Sequence, residues 1–180
     1  MAKVGASLRS FIGRPELKLK REKGVKAPKF NYIKAKSRYH ALELLDSLGD
    51  EGRIIAGGQS LMPTLNMRLS QPDTLIDINK IPDLQGITLE DGIVKIGALS
   101  RHVDVAQSPI INEHLSLISQ AMHHVAHVAV RNRGTIGGSI ALADPAAELP
   151  ACAVALGATL VVESINGRRE IAAEDFFKGL

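Results

Sequence analysis

The 180-residue chain has no tryptophan, two tyrosines, four phenylalanines and one cysteine. So few aromatic rings argue against a base-stacking platform or a carbohydrate-stacking groove. The lone cysteine, Cys152, excludes a disulfide framework and any cysteine-built zinc or iron–sulfur site within this chain. Long hydrophobic runs are also missing. The most apolar stretch, residues 151–162, is interrupted by Gly157 and Thr159 and is too short to span a bilayer. These absences lead us to expect an intracellular, cytoplasmic protein with no membrane partner. Cys152, in an apolar setting, is expected to pack in a core rather than act as a nucleophile.

What is present is ordinary for a globular protein: 45% hydrophobic and 23% charged residues, with a net charge of +3. That charge is unevenly placed. Residues 1–38 carry twelve Lys/Arg against Glu16 and Glu22, whereas residues 39–180 carry ten against seventeen Asp/Glu. Residues 1–27 therefore read as a basic leader, solvated by default, or as an arm for nucleic acid, an anionic membrane or an acidic partner. The order of apolar and turn residues predicts an α+β fold. Expected elements are a strand at 30–33, a helix at 37–48 buried through Tyr39, Leu42, Leu45 and Leu48, and a buried strand at 53–56. An amphipathic stretch at 61–69 follows, then a strand at 74–78 and a hairpin turning at Asp91-Gly92. Beyond these come helical patterns at 103–106 and at 109–125, a glycine-rich loop at 131–138 and a helix at 148–156. A second hairpin turns at Asn166-Gly167.

Two glycine-rich segments carry the chemistry. Ala56-Gly57-Gly58-Gln59-Ser60 leaves an apolar strand, and Gly134-Thr135-Ile136-Gly137-Gly138-Ser139 has a hydroxyl on each side of its paired glycines. Glycine lets main-chain N–H groups approach an anion without interference from Cβ. Two such segments suit a ligand with two phosphates, although each alone also fits a tight turn. Neither has the three spaced glycines of a dinucleotide fingerprint or the Gly-Lys-Ser/Thr of a P-loop. Arg131 and Arg133 stand ready to neutralise phosphate or to pair with an acid such as Asp144. His123, His124 and His127 read as polar residues at a helix end rather than metal ligands, so no metal site is expected. The Gly134–Gly137 tetrad also fits the GxxG loop of RNA-binding KH domains, but the acidic body argues against nucleic acid.

Together the two segments and Ala143-Asp144-Pro145-Ala146-Ala147-Glu148-Leu149-Pro150 resemble the FAD-binding medium subunit of molybdenum hydroxylases, as in carbon monoxide dehydrogenase and xanthine dehydrogenase. The resemblance runs from about Lys26 to Leu180. It implies a vanillyl-alcohol-oxidase (PCMH-type) FAD fold of two α+β subdomains, here 28–82 and 83–180, with the second lacking its C-terminal part. It also implies that Ala56, Gly57, Gly58, Gln59 and Ser60, with Thr135, Ile136, Gly137, Gly138 and Ser139, hold the pyrophosphate. Ile55 and Leu61 would flank it, Val125 would be an apolar contact, and Glu148 and neighbouring Asp144 would be acids facing the cofactor. The implied partners are an iron–sulfur small subunit and a molybdopterin large subunit, whose electrons pass through FAD to NAD or another acceptor. The alternative is a truncated, non-catalytic remnant that binds a partner through its basic arm.

Overall fold

The computed structural model describes residues 26–178. The basic leader expected over residues 1–27 lies outside them except for its last two residues. The described chain opens with strand β1 (Asn31–Lys34) and helix α1 (Arg38–Leu48). Ser37 caps α1 by accepting a hydrogen bond from the His40 N–H at 3.1 Å. Gly49, at φ 52°, ends it by donating to the Leu45 carbonyl. A 3-10 turn leads into β2 (Gly52–Ile55), then α2 (Leu61–Asn66) and β3 (Thr74–Asp77). The three strands form a parallel sheet in the order β1-β3-β2. All four residues of β3 are buried, as a central parallel strand covered on both faces requires. Ala35, Ala41, Ile76, Ile78, Ile81 and Leu99 form one core over this sheet.

The second half begins with a hairpin, β4 (Ile87–Glu90) and β5 (Ile93–Ile96), turning through Asp91 and Gly92 at φ 51° and 78°. Positive φ at both turn positions suits the right-handed twist of the strands. Short helices follow: α3 (His102–Gln107), α4 (Pro109–His114), α5 (Ser116–Ala121), α6 (Val128–Arg131), α7 (Ile136–Leu142) and α8 (Glu148–Ala155). The hairpin β6 (Thr159–Ser164) and β7 (Gly167–Ala172) and the turn of helix α9 (Ala173–Phe176) end the described chain. Val105, Ile111, Ile118, Met122, Val125, Leu149 and Cys152 make a second core. Burial raises the Cys152 thiol pKa, and Glu148 raises it further, so its packing reading holds.

Three expectations need correction. The pattern at 109–125 is two helices, broken at Leu115, whose φ −131° and ψ 55° are not helical. The periodicity persists because Ile111 and Ile118 enter the same core from either side of the break. The segment at 131–138 is a loop only in its middle, since Val128–Arg131 and Ile136–Leu142 are helical. The close main-chain approach of Gly137 to Ala98, described below, accompanies paired glycines in a helical first turn. Finally, Tyr39 faces solvent on α1, and the core is filled instead by Ala41 with Leu44, Leu45 and Leu48.

Ile76 is fully buried at the middle of the central strand. Ile76→Ala is expected to destabilise the fold by about 2–5 kcal/mol, measured by urea unfolding.

Candidate functional site

The first glycine segment emerges from the carboxyl end of β2, beside the carboxyl end of β3. In parallel sheets this edge is where ligand crevices form. Its main chain is polarised in a particular way. The Ile55 carbonyl accepts from Ile78 N–H (3.2 Å), Ala56 from Asn79 Nδ2 (2.8 Å), Gly57 from Gln59 Nε2 (3.0 Å) and Gly58 from Met62 N–H (3.0 Å). The Ser60 carbonyl accepts from both the N–H and the hydroxyl of Thr64. Among the described residues, the amide N–H groups of Gly57, Gly58, Gln59, Ser60 and Leu61 donate to nothing. Five successive donors are thus left for an outside acceptor, while every carbonyl from Ile55 to Ser60 except that of Gln59 is bonded. Gly58 takes φ 70°, a conformation costly for any residue with a side chain.

The second segment has the opposite character. Thr135 caps α7, its buried hydroxyl accepting from Gly138 N–H at 3.1 Å. Gly134 donates to Val130, Ile136 to Ser100, Gly137 to Ala98 and Ser139 to Thr135 main-chain carbonyls. A Cβ on Gly137 would stand 2.6 Å from the Ala98 Cβ and 2.7 Å from its carbonyl oxygen, so only glycine permits this approach. The Ser139 hydroxyl lies 3.1 Å from His102 Nε2.

The two segments touch. A Cβ on Gly57 would overlap the Arg133 carbonyl oxygen and lie 2.8 Å from Gly134 Cα. Main chain from the first segment therefore rests directly on main chain from the second. Beside this contact is a groove of about 300 Å³ lined by Tyr32, Ile55, Ala56, Gly57, Gly58, Gln59, Met62, Pro63, Asn79 and Arg133. Arg133 is exposed and lines this groove, and its guanidinium has no ion pair among the described residues. Arg131 is committed elsewhere, donating to the Val125 and Ala126 carbonyls at 2.9 and 2.8 Å.

Of the residues singled out in the sequence, Ile55, Ala56, Gly57, Gly58 and Gln59 line the groove, with Ser60 and Leu61 following at the start of α2. Val125 is buried in the second core. Asp144 accepts from Ala146 N–H at 2.9 Å and pairs with neither arginine. Glu148 opens α8, close enough to His102 for its charge to act on the imidazole. Among the described residues, no group of histidines, cysteines and carboxylates could hold a metal, and the three histidines at 123, 124 and 127 are exposed.

Sequence reasoning missed a polar seam that runs from the groove wall, where Tyr32 and Asn79 line it, to Asp77 and Arg101. Asn79 donates its side-chain amide to Ala56 O and to Asp77 Oδ1 (2.7 Å), and the Arg101 guanidinium donates to Asn79 Oδ1 (2.6 Å) and to the Arg133 carbonyl. Tyr32 donates its hydroxyl to Asp77. Burial pushes the Asp77 carboxyl up, but hydrogen bonds from Tyr32 and Asn79, with the charge of Lys34, outweigh it and hold the pKa below the ordinary value. The signal was available: Asp77 and Asn79 follow an apolar strand at the same sheet edge as the glycines.

His102 is buried under Gly134, whose Cβ would lie 2.9 Å from the ring, and its Nδ1 has no hydrogen-bond partner. Burial lowers the pKa, Arg101 and Arg131 add to that, and the Thr135 main chain and Glu148 oppose it. The unfolded chain therefore binds more protons than the native state below about pH 6.5. This contribution to stability is complete above that pH and is lost as pH falls toward the lower folded pKa. Urea unfolding at a series of pH values is expected to show this slope, and His102→Gln to remove it. Gly57→Ala is expected to cost about 1–3 kcal/mol in the same assay, because the Arg133 main chain must move.

Comparison with known proteins agrees with this geometry. Residues 28–180 match the family described as FAD binding domain in molybdopterin dehydrogenase. Subunit alpha of the 6-hydroxypseudooxynicotine dehydrogenase complex of Paenarthrobacter nicotinovorans is 48% identical over 84% of this chain and 51% of its own length. The carbon monoxide dehydrogenase medium chain of Hydrogenophaga pseudoflava is 45% identical over 84% and 53% respectively. The solved carbon monoxide dehydrogenase of that organism superposes with a TM-score of 0.83 at 45% identity, covering 85% of this chain and 53% of the other. Quinoline 2-oxidoreductase of Pseudomonas putida 86 gives the same TM-score at 40% identity, with 86% and 54% covered. The chain spans about half the length of the curated relatives it matches. With an α+β architecture shared with these flavin-subunit structures, the chain belongs to the family of FAD-binding domains of molybdopterin dehydrogenases.

Proposed function

We propose that this chain binds FAD and forms the flavin-holding part of a molybdenum-dependent hydroxylase or dehydrogenase. The observation that carries the reading is the run of five amides at residues 57–61 with no acceptor among the described residues, in a segment whose residues 57–59 line a groove together with Arg133. A pyrophosphate brings the acceptor oxygens and negative charge that such a run lacks. In this reading Gly57, Gly58, Gln59 and Ser60 supply most of the amide contacts, between Ile55 and Leu61. The Thr135–Ser139 stretch contributes chiefly by anchoring the segment whose Arg133 and Gly134 main chain packs on Gly57, since the amides of Ile136, Gly137 and Gly138 are already bonded. Glu148 and Asp144 stand farther along, as acids toward the rest of the cofactor, and Val125 supports the second segment from its core.

Bound FAD supplies reversible redox chemistry, while the protein supplies binding, orientation and electrostatics. The relatives' names, a medium chain and a subunit of a dehydrogenase complex, support a place in a larger assembly, for which we propose a cytoplasmic location. Its other members would be an iron–sulfur small subunit and a molybdopterin large subunit, with electrons leaving through FAD to NAD or another acceptor. Division into subdomains at 28–82 and 83–180 is supported by the two separate cores, with Leu99 reaching back into the first.

The test is titration of the purified chain with FAD, followed by flavin absorbance and fluorescence. Saturation near one equivalent is expected, and Gly58→Val or Gly137→Val should abolish it. Absence of binding, or wild-type affinity in both variants, contradicts the assignment.

A further inference from the structure

One guanidinium reaches the framework of both glycine segments. Arg101, just before α3, donates to the Arg133 carbonyl in the second segment and to Asn79 Oδ1 at 2.6 Å. Asn79 in turn donates to the Ala56 carbonyl at 2.8 Å, at the root of the first segment. The orientation of the Asn79 amide is settled by its partners: Nδ2 faces two acceptors, Ala56 O and Asp77 Oδ1, and Oδ1 faces a donor. The Asn79 main-chain N–H also donates to Asp77 Oδ1, at 2.9 Å, so the residue is held at backbone and side chain alike.

This arrangement sets the direction of the Gly57 N–H, in a residue that lines the groove. In a trans peptide unit the carbonyl and the following N–H point in opposite directions. Drawing the Ala56 carbonyl toward Asn79 therefore turns the Gly57 N–H away from the polar seam. The same arginine holds the Arg133 carbonyl, the group against which Gly57 packs.

We propose that Arg101 and Asn79 are positioning residues for the anion site. They form a clamp that fixes the Ala56 carbonyl inward and keeps the two glycine segments in register, so that the amides of the first are preset for a pyrophosphate. The inference rests on the FAD reading of the groove. The clamp acts through geometry, because the guanidinium of Arg101 is engaged with Asn79 and the Arg133 carbonyl, whereas Arg133 lines the groove and has no ion pair among the described residues.

The experiment compares the 180-residue chain with Arg101→Lys, Asn79→Ala and Arg133→Gln, titrating each with FAD and with ADP as a pyrophosphate-bearing probe at two salt concentrations. Ligand-free melting is recorded alongside. Lysine keeps the charge of Arg101 but cannot make its two-pronged contact. The clamp predicts that Arg101→Lys and Asn79→Ala weaken both ligands about tenfold or more while the salt dependence stays that of the wild type. Arg133→Gln should weaken binding and flatten the salt dependence. A merely structural role would lower the melting temperature and leave the affinity of folded protein unchanged. Folded variants at 101 and 79 that bind within twofold of wild type overturn the clamp and leave the FAD reading standing. Failure of the wild type to bind either ligand overturns both. If Arg101→Lys does not fold, Asn79→Ala decides the matter.

Discussion

The site depends on the contact between Gly57 and the main chain of Arg133 and Gly134. No side chain fits between these backbones. The first segment leaves a parallel sheet with its own core, and the second runs into α7 over a different core. Their meeting point is thus where segments that pack against two different cores come to main-chain contact. Close packing makes such a contact intolerant of even one added carbon. A shift there would displace the amides that follow Gly57, so the geometry of any anion bound to them is tied to how the two halves sit together.

The two glycine segments look alike in sequence, yet they serve different ends. In the first, the carbonyls except that of Gln59 are bonded and the amides are left over. In the second, the amides of Ile136 and Gly137 join α7 to Ser100 and Ala98, and the Thr135 hydroxyl is taken by the Gly138 N–H. Glycine permits a backbone angle at Gly58 and a close approach at Gly57 and Gly137. One segment therefore presents donors, and the other builds the surface against which they are presented. The polar seam from Tyr32 through Asp77 and Asn79 to Arg101 holds this division in place.

Much of this was legible in the sequence. The first segment was placed correctly after a strand because an apolar run stopping at paired glycines is a local signal, although that strand, Gly52–Ile55, is half-buried rather than buried, with Arg53 exposed. Ser37 and Gly49 bracketed α1, and Asp91-Gly92 turned its hairpin, again through local chemistry. The helix break at Leu115 was hidden because the core accepts Ile111 and Ile118 at the spacing of one continuous helix. The helical start at Ile136 was hidden because glycine's low propensity is overridden by a contact with Ala98, nearly forty residues away in the chain. Tyr39 matched the periodicity but points to solvent, where Ala41 fills the core instead. Asn79 and Arg101 gave no spacing to read, since their partnership exists only once both halves are folded.

The central claim is that donor capacity lies in the first segment and is already spent in the second. Amide hydrogen exchange of the purified chain, with and without FAD, measures this residue by residue. The account predicts fast exchange at Gly57, Gly58, Gln59 and Ser60 in the free protein, strong slowing there on adding FAD, and slow exchange at Ile136, Gly137 and Gly138 in both states. Protection that appears at 136–138 while 57–60 remain fast in the presence of FAD would contradict it.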